Sequence, residues 1–246
     1  MIEPSRLLRL RLGAAVLAAL PLFGTAACGA AAHEAVPRGA AAVATPGTVR
    51  PGMTVRDDLR AVFDAAGVRG SFALLDVTAR HTIVVDRRRA EKAVRISNAA
   101  AFQVIARRVG LQRERQWLHR LGYGNRQTGT TVDRFWLDGP LKISAVEQTR
   151  FMERLAAERL PASRANQRTV RDLIKQEEKD GYALYAKSGW QNAPDPGTGW
   201  WAGWVEHGGR VHTFALNIDI AKDGDAGKRA TVARELLKRL SALPTA

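Results

Sequence analysis

Between Tyr182 and Ile220 three apolar stretches follow one another with little between them. Tyr182 to Lys187 reads as a strand, Gly199 to Glu206 as the next, and Val211 to Ile220 as a third. The links are Pro194 to Thr198, and His207 to Arg210 with Gly208-Gly209 at its centre. Links this short allow only antiparallel neighbours, so the stretch predicts a meander. The third strand is apolar almost throughout, which predicts cover on both faces. The rest of the chain therefore has to supply elements for two sides of a sheet. The first strand runs into Lys187-Ser188-Gly189: a cation and a hydroxyl able to hold an anionic group, then a residue without a side chain. A ligand can lie close to the backbone at such a glycine.

The chain has 246 residues, 46% hydrophobic and 25% charged, which suits a sizeable globular domain and excludes general disorder. Its formal net charge is +14. The arginines are spread along every helical stretch and no nucleic-acid module is recognisable, so a nucleic-acid partner is not expected. The start reads as an export signal: Arg6, Arg9 and Arg11, an apolar run from Leu12 to Phe23, then Gly24-Thr25-Ala26-Ala27-Cys28. Cys28 is the only cysteine, which excludes an intrachain disulfide. Ala27-Cys28-Gly29 resembles a bacterial lipoprotein cleavage site, with Thr25 where leucine is usual. Two outcomes fit: lipidation at Cys28 with membrane anchoring, or ordinary cleavage near Ala30 to Ala32. Residues 1–28 are thus expected to be a signal peptide and 29–52 a flexible tether.

The domain proper is expected over 53–246. Thr54 can cap a helix running to Ala66, with Leu59, Val62 and Phe63 on one face. Ser71 to Asp76 reads as a strand with His81 to Asp86 as its hairpin partner. A helix to Val109 closed by Gly110 and a second from Gln112 to Leu121 come next. Ser144 and Glu147 form a capping box opening a helix to about Glu158, and Ser163 opens another to about Glu178. An amphipathic helix, Gly227 to Leu243, closes the chain with Val232, Leu236, Leu237 and Leu240 inward. Strands at both ends with helices between them predict an α/β (α+β) fold: an antiparallel sheet flanked by helices, a helical subdomain, and a cleft between the two.

Four motifs then appear in order: Tyr123-Gly124-Asn125; Phe135 to Val146 with Trp136-Leu137-Asp138-Gly139-Pro140; Lys187-Ser188-Gly189; and Gly199 to Glu206. Together they resemble the class D (oxacillinase-type) serine β-lactamases across nearly all of residues 59 to 240. The resemblance implies the penicillin-recognising serine hydrolase fold, with β-lactams or a peptidoglycan-like small molecule as ligand and no dissociable cofactor. It also implies roles for particular residues. Ser97 matches the serine that relays a proton to the leaving nitrogen. Lys187 matches the lysine that raises local positive potential. Ser188, Gly189 and Trp190 match the strand that binds substrate and contributes an oxyanion-hole donor. Arg229 matches the arginine that pairs with the drug carboxylate, and Trp136 the indole that holds a carboxylated lysine.

The family's Ser-x-x-Lys, which carries the nucleophile and that carbon-dioxide-modified lysine, occurs nowhere in this chain. The chain runs from Arg89-Ala90-Glu91-Lys92 to Arg95-Ile96-Ser97 where the family places that motif, so an internal deletion near 92–95 and an incomplete helical subdomain are expected. Family-level chemistry would be β-lactam hydrolysis by serine acylation and deacylation, conferring resistance. Without its nucleophile and base, this chain is expected to be inactive in it. A non-catalytic penicillin-binding or sensing module, or a truncated relic, are the alternatives.

Overall fold

The computed structural model describes residues 25–26, 57–76, 99–179, 181–191 and 195–244. Ser97, Cys28, the expected strand 81–86, the cap at Thr54 and the deletion point near 92–95 lie outside them. In chain order the elements are β1 (Thr25–Ala26), a 3-10 turn (Asp57–Leu59), α1 (Arg60–Ala65), β2 (Gly70–Asp76), α2 (Ala99–Val109) and α3 (Leu111–Leu121). Then come β3 (Lys142–Ile143), α4 (Ala145–Ala156), α5 (Arg164–Ile174), β4 (Lys175–Lys179), β5 (Tyr182–Gln191), β6 (Gly197–His207), β7 (Arg210–Ile220), a 3-10 turn (Asp223–Gly227) and α6 (Lys228–Arg239).

The expected meander is the body of a five-stranded antiparallel sheet in the order β2-β7-β6-β5-β4. β2 closes one edge against β7, with Gly70 opposite Ile218. Gly70 is needed there, because a Cβ would stand 2.0 Å from the Asn217 carbonyl oxygen. The other edge corrects the reading of a helix to Glu178. The helix stops at Ile174, and Lys175–Lys179 pairs with β5 as an edge strand. Lys-Gln-Glu-Glu-Lys has good helix formers, but an open strand edge offers a row of backbone partners that outweighs so weak a preference. A two-residue parallel pair, Thr25–Ala26 with Lys142–Ile143, forms separately.

Alternation along the strands divides the core. One face carries Ala183, Tyr185, Trp200, Ala202, Trp204 and Ala215 against α2, α3, α4 and α5. The opposite face carries Leu184, Ala186, Trp201, Val205, Phe214, Leu216 and Ile218 against α1 and α6. Cover on both faces is what β7's continuous apolarity required. The expected α6 face holds at Val232, Leu236 and Leu237, joined by Ala233; the helix ends at Arg239, short of Leu243, and Leu240 at its C-cap is only partly buried.

Local signals set the helix ends. At α4, Ser144 Oγ accepts from the Glu147 amide at 3.2 Å while the Glu147 carboxylate accepts from the Ser144 amide at 2.9 Å. Tyr123-Gly124-Asn125 is a structural knot. Gly124, at φ +51°, passes so close to Lys142 that a Cβ would lie 2.1 Å from its carbonyl oxygen. Asn125 then donates to Pro140 O at 2.8 Å and accepts from the Lys142 amide at 3.0 Å. α5 is fastened to the sheet by Arg171, whose guanidinium lies 4.7 Å from the Tyr185 ring centre. It donates to the Tyr185 hydroxyl at 2.9 Å and to Glu206 at 2.7 Å. Tyr185 in turn stacks on Trp204 at 4.7 Å.

Candidate active site

β5 does not end at the lysine, as the sequence suggested. It continues in register with β6 through Lys187 opposite Ala202, Ser188 opposite Trp201, Gly189 opposite Trp200 and Trp190 opposite Gly199. Gly203 lets β6 pass close by: a Cβ there would sit 1.8 Å from the Tyr185 carbonyl oxygen. The strand's two-residue period separates the motif's side chains. Lys187 shares the face of Tyr185, toward the helical subdomain, and is 6% exposed. Ser188 falls on the side of α6. Trp190, 41% exposed, follows Gly189 at the outer end of the strand.

Arg229, in the first turn of α6, reaches across to this strand end. Its Nη1 donates to Gly189 O at 2.5 Å and its Nε to Ala226 O at 2.5 Å. Lys187 Nζ donates to the neighbouring carbonyl, Ser188 O. Two cations are thus gathered by two consecutive carbonyls of one strand. Burial, with Arg229 close by as a second cause, pushes the Lys187 ammonium down to about 7. Burial also lowers Arg229. Gly199 is part of this arrangement, and the sequence reading missed it. A Cβ there would lie 2.8 Å from Arg229 Cδ and 2.4 Å from Ile220 Cδ1, so the missing side chain leaves the lane through which Arg229 crosses β6. The signal was a glycine inside an otherwise bulky strand.

Trp136 stands elsewhere. It is 5% exposed, edge-on to Phe135 at 4.8 Å, and packs in the apolar cluster of the helical subdomain. Among the described residues it is a core aromatic, and the structure joins Lys187, Ser188, Gly189, Trp190 and Arg229 without it. A further polar group lies in the subdomain. Glu114, on the inner face of α3 in line with Leu118 and Leu121, is 0% exposed. Both its carboxylate oxygens lack a hydrogen-bond partner among the described residues, and burial lifts its pKa to about 8. Among the described residues no group of three His, Cys, Asp or Glu could hold a metal, and no helix is long and apolar enough to cross a membrane.

Chemically, two cations held at one strand end can attract an anionic group, with the Ser188 hydroxyl on the other face of the strand. The antiparallel sheet, its C-terminal helix on one face, the helical subdomain on the other and Lys-Ser-Gly on the strand between them define a penicillin-recognising serine hydrolase fold. Residues 76–238 match the penicillin binding protein transpeptidase domain family, and the chain belongs to that family. Within it the resemblance is to class D. The β-lactamase OXA-5 of Pseudomonas aeruginosa is 38% identical over 148 residues, 59% of this chain and 55% of that protein. The β-lactamase OXA-48 of Klebsiella pneumoniae is 36% identical over 152 residues, 62% of this chain and 57% of that one. The chain spans little more than half the length of these curated relatives. A crystal structure of the class D β-lactamase YbXI from Nostoc superposes with a TM-score of 0.67 at 29% identity, covering 75% of this chain and 99% of that one. That of FUS-1 (OXA-85), a class D β-lactamase from Fusobacterium nucleatum, gives 0.68 at 26% identity, covering 77% and 100%.

Proposed function

We propose that this chain is an exported class D-type protein that binds the carboxylate of a β-lactam or peptidoglycan-like ligand at the end of β5, through Lys187 and Arg229. The observation that carries this reading is the convergence of the Lys187 ammonium and the Arg229 guanidinium on the Ser188 and Gly189 carbonyls. A bound carboxylate would favour the charged form of Lys187 and offer Arg229 a charge-assisted partner. Trp190 would flank the ligand at the strand end, and the Trp190 amide would serve as an oxyanion donor. Export would follow from residues 1–28, with anchoring through a lipid at Cys28.

Turnover by the family's route would require the Ser-x-x-Lys pair, which this sequence does not contain. Loss of a serine nucleophile costs on the order of a millionfold in kcat in comparable hydrolases. The protein should therefore capture β-lactams reversibly. Ser97, which lies outside the described residues, is the candidate for a substitute nucleophile, and Lys187 for its base. The test combines intact mass with equilibrium binding of benzylpenicillin. The reading expects no mass adduct, negligible nitrocefin hydrolysis, and saturable binding that falls at least about tenfold in Arg229→Ala, the loss of one charge-assisted pair. A covalent adduct mapping to Ser97 would replace it with the catalytic reading. Binding indifferent to Arg229 would remove the carboxylate site.

A further inference from the structure

α2 and α3 form a helical hairpin through Gly110, and across 99–121 they hold five arginines and one acidic residue, Glu114. That single carboxylate is turned inward at 0% exposure, so the outer surface of the hairpin has no negative charge of its own. Arg107 is taken by Asp133 at 2.5 Å, and Arg115 by Thr128 Oγ1 at 2.8 Å and Gly129 O at 2.5 Å. Arg108, Arg113 and Arg120 are exposed, and none has a carboxylate within salt-bridge distance among the described residues. Elsewhere among the described residues about half the arginines have a carboxylate partner, as Arg168 with Glu158, Arg171 with Glu206, Arg234 with Glu177 and Arg239 with Glu235. Among the described residues, what sets this hairpin apart is three such arginines close together on a segment with no exposed carboxylate.

An aromatic sits among them. Trp117 is only partly buried against the core, and the Arg120 guanidinium lies 5.4 Å from its ring centre. Arg113 precedes it by four residues and Arg120 follows by three, so the three side chains share one flank of α3. We infer that this flank, with Arg108 at the hairpin corner, is a docking surface for an anionic lipid bilayer. Arginine and an indole with one wet edge are the pair that settles at headgroup depth. The stripe from Arg113 to Arg120 is only about 10 Å long, enough for a few headgroups but short for the repeated phosphates of a nucleic acid. Sorting to the outside of the membrane, as the start of the sequence suggests, brings a bilayer within reach of the 29–52 tether.

The test is vesicle co-sedimentation of the full chain, read as the ratio of partitioning onto vesicles of about 30% phosphatidylglycerol to that onto pure phosphatidylcholine at low salt. The basic start, Arg6, Arg9 and Arg11, raises the ratio alike in every variant, so the loss on substitution is what reads the α3 flank. Arg113→Gln with Arg120→Gln is compared with an equal charge loss at exposed positions of α4 and α5, Arg150→Gln with Arg164→Gln. The expected result is a ratio well above one that falls roughly thirtyfold in the α3 pair and far less in the control pair, and that collapses at high salt. All four side chains are exposed, so unfolding midpoints should not move. A wild-type ratio near one would overturn the inference. So would equal losses in both pairs, or tighter retention on duplex DNA than on anionic vesicles with the same α3 dependence.

Discussion

Replacing Glu114 by methionine should stabilise the protein in a pH-dependent way. The side chain is 0% exposed on the inner face of α3, and neither carboxylate oxygen has a partner among the described residues. The charged form is therefore the costly one, and the folded pKa sits near 8 against an ordinary value of 4.5. Between those two values the folded state keeps a proton that the unfolded chain has released. Stability thus falls as pH rises through that window, by at most about 1.4 kcal/mol per pH unit, and levels off above the folded pKa. From about pH 5.5 to about pH 7.5 the loss attributable to this one group is on the order of 3 kcal/mol. Methionine is unbranched, of similar length and a good helix former, so Glu114→Met keeps the packing and removes the charge. The assay is urea unfolding of both proteins at the two pH values, scored only where the m-values agree. The variant should be the more stable at both, because even a neutral carboxyl is left without hydrogen bonds, and its advantage should widen by about 3 kcal/mol toward the higher pH. Every other titrating group is common to both proteins and cancels. An advantage that stays constant within about 0.5 kcal/mol, or that shrinks as pH rises, would refute the reasoning.

Two further outcomes follow from the geometry. Lys187 titrates near 7 in the free protein and a bound carboxylate raises that value, so benzylpenicillin affinity should be fullest below about pH 7 and weaken several-fold by about pH 8. A Lys187→Arg variant, permanently charged, should flatten that profile; binding that keeps the same pH dependence in the variant would assign it to another group. Ser144→Ala removes the hydroxyl that accepts from the Glu147 amide and should lower stability by about 1 kcal/mol in thermal or urea unfolding.

Much of the fold was legible. Alternating and continuous apolar runs located β2, β5, β6 and β7, and Gly208-Gly209 their last turn, because strand period and turn chemistry are local properties. Ser144 with Glu147 marked the start of α4 for the same reason, since both partners of the capping box lie within one helical turn. Lys175–Lys179 was misread as helix because its strand state depends on the free edge of β5, a partner supplied from outside the segment. Glu114 was not singled out in the sequence. Its spacing from Leu111, Leu118 and Leu121 puts it on the apolar face of α3, but only the packed fold shows that the carboxylate is left there without a partner among the described residues.

By itself, then, the sequence determined the order of the elements apart from β4, the two-sided burial of β7 and membership of the family. Each of these is written in residues a few positions apart or in motifs read in order. Only the tertiary structure decided which side chains meet. It sends Lys187 and Ser188 to opposite faces of β5, brings Arg229 over the Gly199 lane to the Gly189 carbonyl, and leaves Trp136 in the core. It also pairs most arginines of α5 and α6 while leaving those of α3 unopposed. The physical reason is range. Helix caps and strand periods act over one turn or one pleat, whereas a cation's partners and a carboxyl's desolvation are set by whatever the packed fold places within a few ångströms.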